Sequence, residues 1–181
     1  GQGSIERTLP LDLAYFKKID AVEFTMKMDD GALPRNLDQA DLVIVAPSRC
    51  GKTPLSMYLA QEHNLKVANV PLVVGIPPPQ YLLELDPSKV VGLKCHPSVL
   101  SKIRSSRIER AVGKDDLGLA AAAIKGGSTD YSSMAYVMKD LKSAMALYEE
   151  RDWKSFDVTN KAIEESASRI LEEMDRASSR M

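Results

Sequence analysis

Asp41-Leu42-Val43-Ile44-Val45-Ala46-Pro47-Ser48-Arg49-Cys50-Gly51-Lys52-Thr53 is the stretch on which the fold turns. Its first half is a short apolar run rich in β-branched residues, the pattern of a parallel strand buried on both faces. Its second half is a loop ending in Gly-Lys-Thr, and Pro54 stands where a first helical turn accepts proline. A helix is expected to follow through about Gln61. The phosphate-binding loop pattern is Gly, four residues, then Gly-Lys-Ser/Thr. Here Ala46 holds the first glycine position, so the match is one residue short. The physical requirements remain visible. Gly51 permits backbone angles that other residues resist, and successive backbone N–H groups can then surround a phosphate at a helix N-terminus. Lys52 supplies a cation for the terminal phosphate, Thr53 a ligand for Mg²⁺, and Arg49 a second cation inside the loop. A tight strand-to-helix turn with incidental Lys and Thr would carry the same letters. The buried strand before and the helix after favour phosphate binding, with Ala46, Pro47, Ser48, Arg49, Cys50, Gly51, Lys52 and Thr53 as the nucleotide-binding residues.

Outward from this loop, strands and helices alternate. Tyr15, Ile19, Val22 and Met26 fall at helical spacing within a helix from about Leu11 to Met28, stopped by Asp29-Asp30-Gly31. Lys66–Val70 and Val90–Lys94 read as further strands, with the stiff connector Gly75-Ile76-Pro77-Pro78-Pro79 between them, and Pro97 to about Val112 as a helix. Gly113 to Ser133, rich in Gly, Ala, Ser and Asp, reads as a mobile loop. Met134, Val137, Met138, Leu141, Ala144, Met145 and Tyr148 make one apolar helical stripe. Ser155–Val158 is a fourth strand. A last helix carries Ile163, Ala167, Ile170, Leu171 and Met174, with Asn160 as its expected cap. The fold class expected is therefore α/β: a P-loop-containing, mostly parallel sheet flanked by helices.

Composition narrows the function. The chain has 181 residues, long enough to bury about two-thirds of its unfolded surface without a metal or disulfide staple. Lys plus Arg is 24 against 25 Asp plus Glu, which argues against non-specific nucleic-acid binding. No run approaches the ~18 apolar residues of a membrane helix, so neither nucleic acid nor membrane is expected as a partner. Two cysteines, Cys50 and Cys95, are too few for a disulfide scaffold and point to a reducing compartment. Gly1-Gln2-Gly3-Ser4 reads as a cloning remnant, so residues 1–10 are expected to be remnant and linker and 11–181 one catalytic domain.

The remaining catalytic groups stand out less. Leu82-Leu83-Glu84-Leu85-Asp86 is the nearest approach to a Walker B strand, and Pro87 beside it favours a turn. Asp115-Asp116-Leu117-Gly118 and Thr159-Asn160-Lys161 resemble nucleotide-switch and guanine motifs only by chance. Asp29 and Asp30 are a base or metal pair, or two solvated carboxylates at a helix end. Arg104 and Arg107, three apart on a helix, share an anion or simply face solvent. His63 and His96 lack metal-ligand spacing. A Cys50 nucleophile would need a base that the sequence does not place, and Cys95 reads as core.

Several longer blocks are more specific. Ser48-Arg49-Cys50-Gly51-Lys52-Thr53-Pro54-Leu55-Ser56 is followed by Tyr58-Leu59-Ala60 and by Lys66-Val67-Ala68-Asn69-Val70-Pro71-Leu72-Val73. With Ile19-Asp20-Ala21-Val22-Glu23-Phe24, Asp29-Asp30-Gly31, Ile103-Arg104, Arg107 and Asp157-Val158-Thr159, they resemble the pyruvate, orthophosphate dikinase regulatory protein family, which includes the bacterial phosphoenolpyruvate synthetase regulatory proteins. The resemblance covers roughly Leu11 to Leu171. It implies a bifunctional enzyme that transfers the β-phosphate of ADP to a Thr of pyruvate, orthophosphate dikinase or phosphoenolpyruvate synthetase. The same enzyme removes that phosphate with orthophosphate, releasing pyrophosphate. By position, the loop from Ala46 to Thr53 would bind ADP with Mg²⁺ at Thr53. Lys52 and Arg49 would stabilise the transferring group, Asp29 or Asp30 would be the general base, and Arg104 and Arg107 would contact substrate anions.

The resemblance further implies a homodimer, in a bacterial cytoplasm or a chloroplast stroma. Three departures stand out: Ala46-Pro47 where family loops begin with Gly, an apparent insertion from Leu117 to Ser128, and the lack of the family's N-terminal domain. An ATP-dependent small-molecule kinase and a nucleotide-binding regulatory module without catalysis are the alternatives.

Overall fold

The computed structural model of the chain describes residues 2–113 and 131–180. Among them, helix α1 (Gln2–Lys27) leads through two short 3₁₀ turns, Asp29–Gly31 and Pro34–Gln39, into strand β1 (Leu42–Ala46). Then follow α2 (Lys52–His63), β2 (Val67–Pro71), the one-turn helix α3 (Gln80–Leu83), a 3₁₀ turn at Pro87–Lys89, β3 (Val90–Lys94) and α4 (Pro97–Gly113). The chain ends with α5 (Met134–Glu150), β4 (Lys154–Asp157) and α6 (Ile163–Ser179).

The four strands form one sheet in the order β2-β1-β3-β4, and every pairing is parallel. All five residues of β1 are buried because the strand is central and covered on both faces. Alternation splits its side chains between two layers. Leu42, Ile44 and Ala46 join the core beneath α2, α4 and α6, whereas Val43 and Val45 join the core with Met28, Leu82, Tyr148 and Trp153. The connection from β1 runs to β2 on one side, and β3 continues to β4 on the other. The crevice between the carboxyl ends of β1 and β3 is thus the switch point at which open parallel sheets bind ligands.

Tyr148 fastens that crevice from below: its hydroxyl lies 3.2 Å from the Val45 carbonyl oxygen and 2.8 Å from that of Leu93. Its ring lies flat on β3 at Gly92, where an added Cβ would stand 2.5 Å from the ring.

Several expectations need correction. Helix α1 starts at Gln2, earlier than the expected start near Leu11. Its buried residues include Ala21 and Thr25, with Met28 buried just past its end, while Tyr15 and Met26 are exposed. On α5 the buried face is Val137, Asp140, Leu141, Ala144 and Tyr148, and Met134, Met138 and Met145 face outward. On α5 the stripe read from sequence is wider than the buried one, whereas on α1 none of Tyr15, Ile19, Val22 and Met26 is fully buried. Asn160 does not cap α6. It adopts left-handed angles two residues earlier, and Ala162 stands at the cap without a side-chain bond. The turn is held instead by the Asp157 carboxylate, which accepts from the Thr159 N–H at 2.8 Å. The segment resembling a switch motif and the apparent insertion lie outside the described residues.

Candidate functional site

The site grows out of the carboxyl end of β1. The chain leaves Ala46, passes Pro47 and Ser48, and turns through Arg49 (φ 71°) and Gly51 (φ 90°) into α2. Two left-handed residues within three positions curl the backbone so that its N–H groups can converge on an anion. At Gly51 that conformation is free of strain; at Arg49 it costs of order 1 kcal/mol, the kind of strain found at binding loops. Lys52, buried in the first turn of α2, folds back and donates to the Pro47 carbonyl at 3.2 Å. Burial pulls its ammonium below the ordinary lysine value of 10.5. Cys50, Asp30 and Asp29 oppose that shift, and Arg49 adds to it.

The turn after α1 brings two carboxylates to this loop. Asp29 Oδ1 accepts from the Thr53 hydroxyl at 2.7 Å and from the Asn69 amide at 2.6 Å. Asn69 also accepts, through Oδ1, the backbone N–H of Asp30 at 3.0 Å. Asp30 itself is left-handed (φ 54°) and exposed. Among the described residues, no hydrogen bond or ion pair engages its carboxylate, which faces a cavity of about 590 Å³. That cavity is lined by Asp29, Asp30, Ser48, Arg49, Gly51, Lys52, Thr53, Pro54 and Arg107. The sequence-derived loop, acid pair and Arg107 therefore meet in one place.

Arg104 is placed differently. Its guanidinium is fully buried and donates to Asp140 at 2.7 Å, to the Ser48 carbonyl at 3.1 Å and to the Tyr131 carbonyl at 3.0 Å. It also stacks over the Tyr131 ring at 4.4 Å. It lies on the core-facing side of α4, four residues after the buried Leu100, so its charge is drawn inward to a buried carboxylate. Arg104 and Arg107 do not converge on one anion: Arg104 clamps the loop after β1 from behind through the Ser48 carbonyl, and Arg107 lines the cavity.

A second cavity, of about 270 Å³, lies on the other side of the loop at the switch point. Arg49, Gly51 and Pro54 line both cavities. The second is otherwise mostly apolar, with Leu55, Val99, Ile103, Val158 and Ile163 and the polar groups of Thr159 and Asn160.

Three participants were not singled out as site residues from sequence. Asn69 is a polar side chain among the four buried residues Val67–Val70 of β2, which is itself a signal, since a buried amide must find partners. Asp140 interrupts the apolar stripe of α5 and is another such signal. Tyr131, whose hydroxyl meets Ser48 Oγ at 2.7 Å, carried none.

A strand-loop-helix turn on a parallel sheet, with an acid pair beside its lysine, is the arrangement that phosphate-binding sites of nucleotide-dependent enzymes use. The kinase/pyrophosphorylase family model matches residues 2–171, and the chain belongs to that family. It is 46% identical over 166 residues to the chloroplastic pyruvate, phosphate dikinase regulatory protein 1 of Arabidopsis thaliana, covering 91% of this chain and 38% of that protein. It is 44% identical over 162 residues to a putative pyruvate, phosphate dikinase regulatory protein of Carboxydothermus hydrogenoformans, covering 90% of this chain and 54% of that one. The chloroplastic regulatory protein of Zea mays is 43% identical over 158 residues, covering 87% of this chain and 34% of its own length. The chain thus spans between about a third and just over half of these relatives.

Proposed function

We propose that this chain carries the catalytic core of a bifunctional regulator of a phosphoenolpyruvate-forming enzyme. In one direction it transfers the β-phosphate of ADP to a Thr of pyruvate, orthophosphate dikinase or phosphoenolpyruvate synthetase. In the other it removes that phosphate with orthophosphate and releases pyrophosphate. The observation that carries the reading is the single cavity in which the phosphate loop, three cations and an unengaged carboxylate meet.

The geometry supports the following roles. Lys52, Arg49 and Arg107 offset charge on the transferring phosphoryl group. Asp30, with its oxygens clear, takes the proton of the attacking Thr hydroxyl. In the phosphate-removing reaction it gives a proton to the leaving Thr oxygen while orthophosphate, at the cationic end, takes up the phosphoryl group and departs as pyrophosphate. Asp29 is already held by Thr53 and Asn69 and fixes the turn that aims Asp30. Hard-oxygen donors suit Mg²⁺, which phosphate sites hold with one or two protein groups plus phosphate oxygens. Thr53 and Asp29 supply such a set, and Mg²⁺ there would neutralise phosphate charge. The mostly apolar cavity across the loop suits the nucleoside. The relatives' names include chloroplastic proteins and bacterial ones, so the stroma or a bacterial cytoplasm is the compartment of this reading, with a homodimer as its assembly.

The test supplies β-labelled ADP and a dikinase already phosphorylated on its catalytic His. Label on a Thr of the partner, lost again with orthophosphate and absent with Lys52→Ala, supports the reading. ADP binding without transfer to the partner, in a chain carrying the relatives' full length, favours a non-catalytic module. Turnover of ATP on a metabolite favours a small-molecule kinase.

A further inference from the structure

Cys50 and Cys95 are 45 positions apart in sequence and come from different elements, the phosphate loop and the residue following β3. Their Sγ atoms nevertheless lie 3.6 Å apart. Both are free thiols. Cys50 is buried and Cys95 half-buried, and both line the cavity at the switch point. Ile103 and Ile163, each about 40% exposed, also line that cavity, so it opens to solvent beside the half-buried Cys95. The hydrogen bond the two thiols share draws the Cys95 thiol below its ordinary range and raises that of Cys50, which leaves Cys95 the better nucleophile.

We propose that Cys50 and Cys95 are a redox-modifiable dithiol, closed to an intramolecular disulfide by low-molecular-weight disulfides. The Cys95 thiolate attacks one sulfur of the reagent, forms a mixed disulfide and releases the other half as a thiolate. Cys50 then gives its proton to solvent and attacks Cys95 Sγ, forming the protein disulfide and expelling the second half as a thiol. Two protein thiols and one small disulfide become one protein disulfide and two small thiols.

Closure brings the sulfurs together by about 1.5 Å. Cys95 is anchored next to a sheet strand, so the loop residue moves. Arg49 and Gly51, the two left-handed residues whose angles aim the loop's N–H groups, flank Cys50 directly. The oxidised loop is displaced toward β3 and away from the geometry that receives a phosphate. That consequence rests on the nucleotide reading above; the disulfide itself does not.

The experiment treats the chain with hydroxyethyl disulfide, alkylates remaining thiols with iodoacetamide and weighs the intact protein. The expected product has lost two hydrogen masses, takes up no alkyl group, yields a linked Cys50–Cys95 peptide and reverts with dithiothreitol. Cys50→Ser is expected to stop at a stable adduct on Cys95. ADP affinity of the wild type is expected to fall about tenfold on oxidation and to recover on reduction. In Cys95→Ser, whatever affinity the variant starts with should not respond to the reagent. Unreacted thiols, or separate adducts on both cysteines without a linked peptide, overturn the dithiol. A disulfide that forms with no change in ADP affinity overturns the loop displacement. Failure of the reduced chain to bind ADP overturns the nucleotide reading while leaving the mass result to stand separately.

Discussion

Thr53 donates its hydroxyl to Asp29 across 2.7 Å, joining the first turn of α2 to the turn that ends α1. Asn69 of β2 completes the junction by donating to the same oxygen and receiving the Asp30 N–H. The two aspartates, adjacent in sequence, are thereby separated in role. One is tied into the scaffold and the other is presented to the cavity.

Asn69 is the positioning residue of that arrangement. Asn69→Ala removes both bonds while leaving the surrounding apolar strand. Phosphoryl transfer should fall about 100-fold in kcat, the scale of a small misplacement of a reacting group, with ADP affinity nearly unchanged. Paired measurements of kcat and ADP Kd check this, and a loss of affinity with kcat intact would assign Asn69 to nucleotide binding instead.

Arg104 and Asp140 form a buried, fully engaged pair behind the loop. Breaking one side leaves the other charge buried and unpaired. Arg104→Met should cost about 3–5 kcal/mol by urea unfolding. Arg104→Met combined with Asp140→Leu should cost clearly less than the two single changes added together. Additive losses would show that the pair does not act as a unit.

Lys52 gives the site its pH dependence. Burial lowers its pKa from 10.5, and only the charged form attracts phosphate. The charge is present below the folded pKa and lost above it, so ADP affinity should begin to fall at a lower pH than an ordinary lysine would dictate. Lys52→Arg, whose guanidinium stays charged, should bind ADP without that alkaline fall. Isothermal titration across the alkaline range measures both curves, and identical profiles would remove Lys52 as the titrating group.

Gly92 is required by Tyr148. A Cβ there would stand 2.5 Å from the ring, so Gly92→Ala should destabilise the fold by about 1–3 kcal/mol as the ring is forced off β3. Urea unfolding reads the loss, and the near-ultraviolet circular dichroism of the tyrosine reads the displacement.

Local sequence patterns made much of this architecture legible. The β-branched run Leu42–Val45 declared a doubly covered strand, and Gly51-Lys52-Thr53 after it declared the loop, because both depend on neighbours in sequence. The acid pair and Arg107 were visible as residues, but their meeting was not: it depends on β2 lying beside β1 and offering Asn69 to the turn after α1. Arg104 was misplaced for the same kind of reason. Its helical spacing from Arg107 suggested a shared anion, whereas Asp140, on a different helix, decides where its charge goes. Asn160 looked like a cap by residue type, but a left-handed turn and Asp157 shape that corner.

The most direct measurement compares Asp30→Asn with Asp29→Asn in both directions, label moving from ADP to the partner Thr and from phosphothreonine to orthophosphate. The account predicts that Asp30→Asn loses both reactions and keeps ADP affinity, since the residue handles the proton and not the nucleotide. Normal transfer by Asp30→Asn in either direction would contradict it.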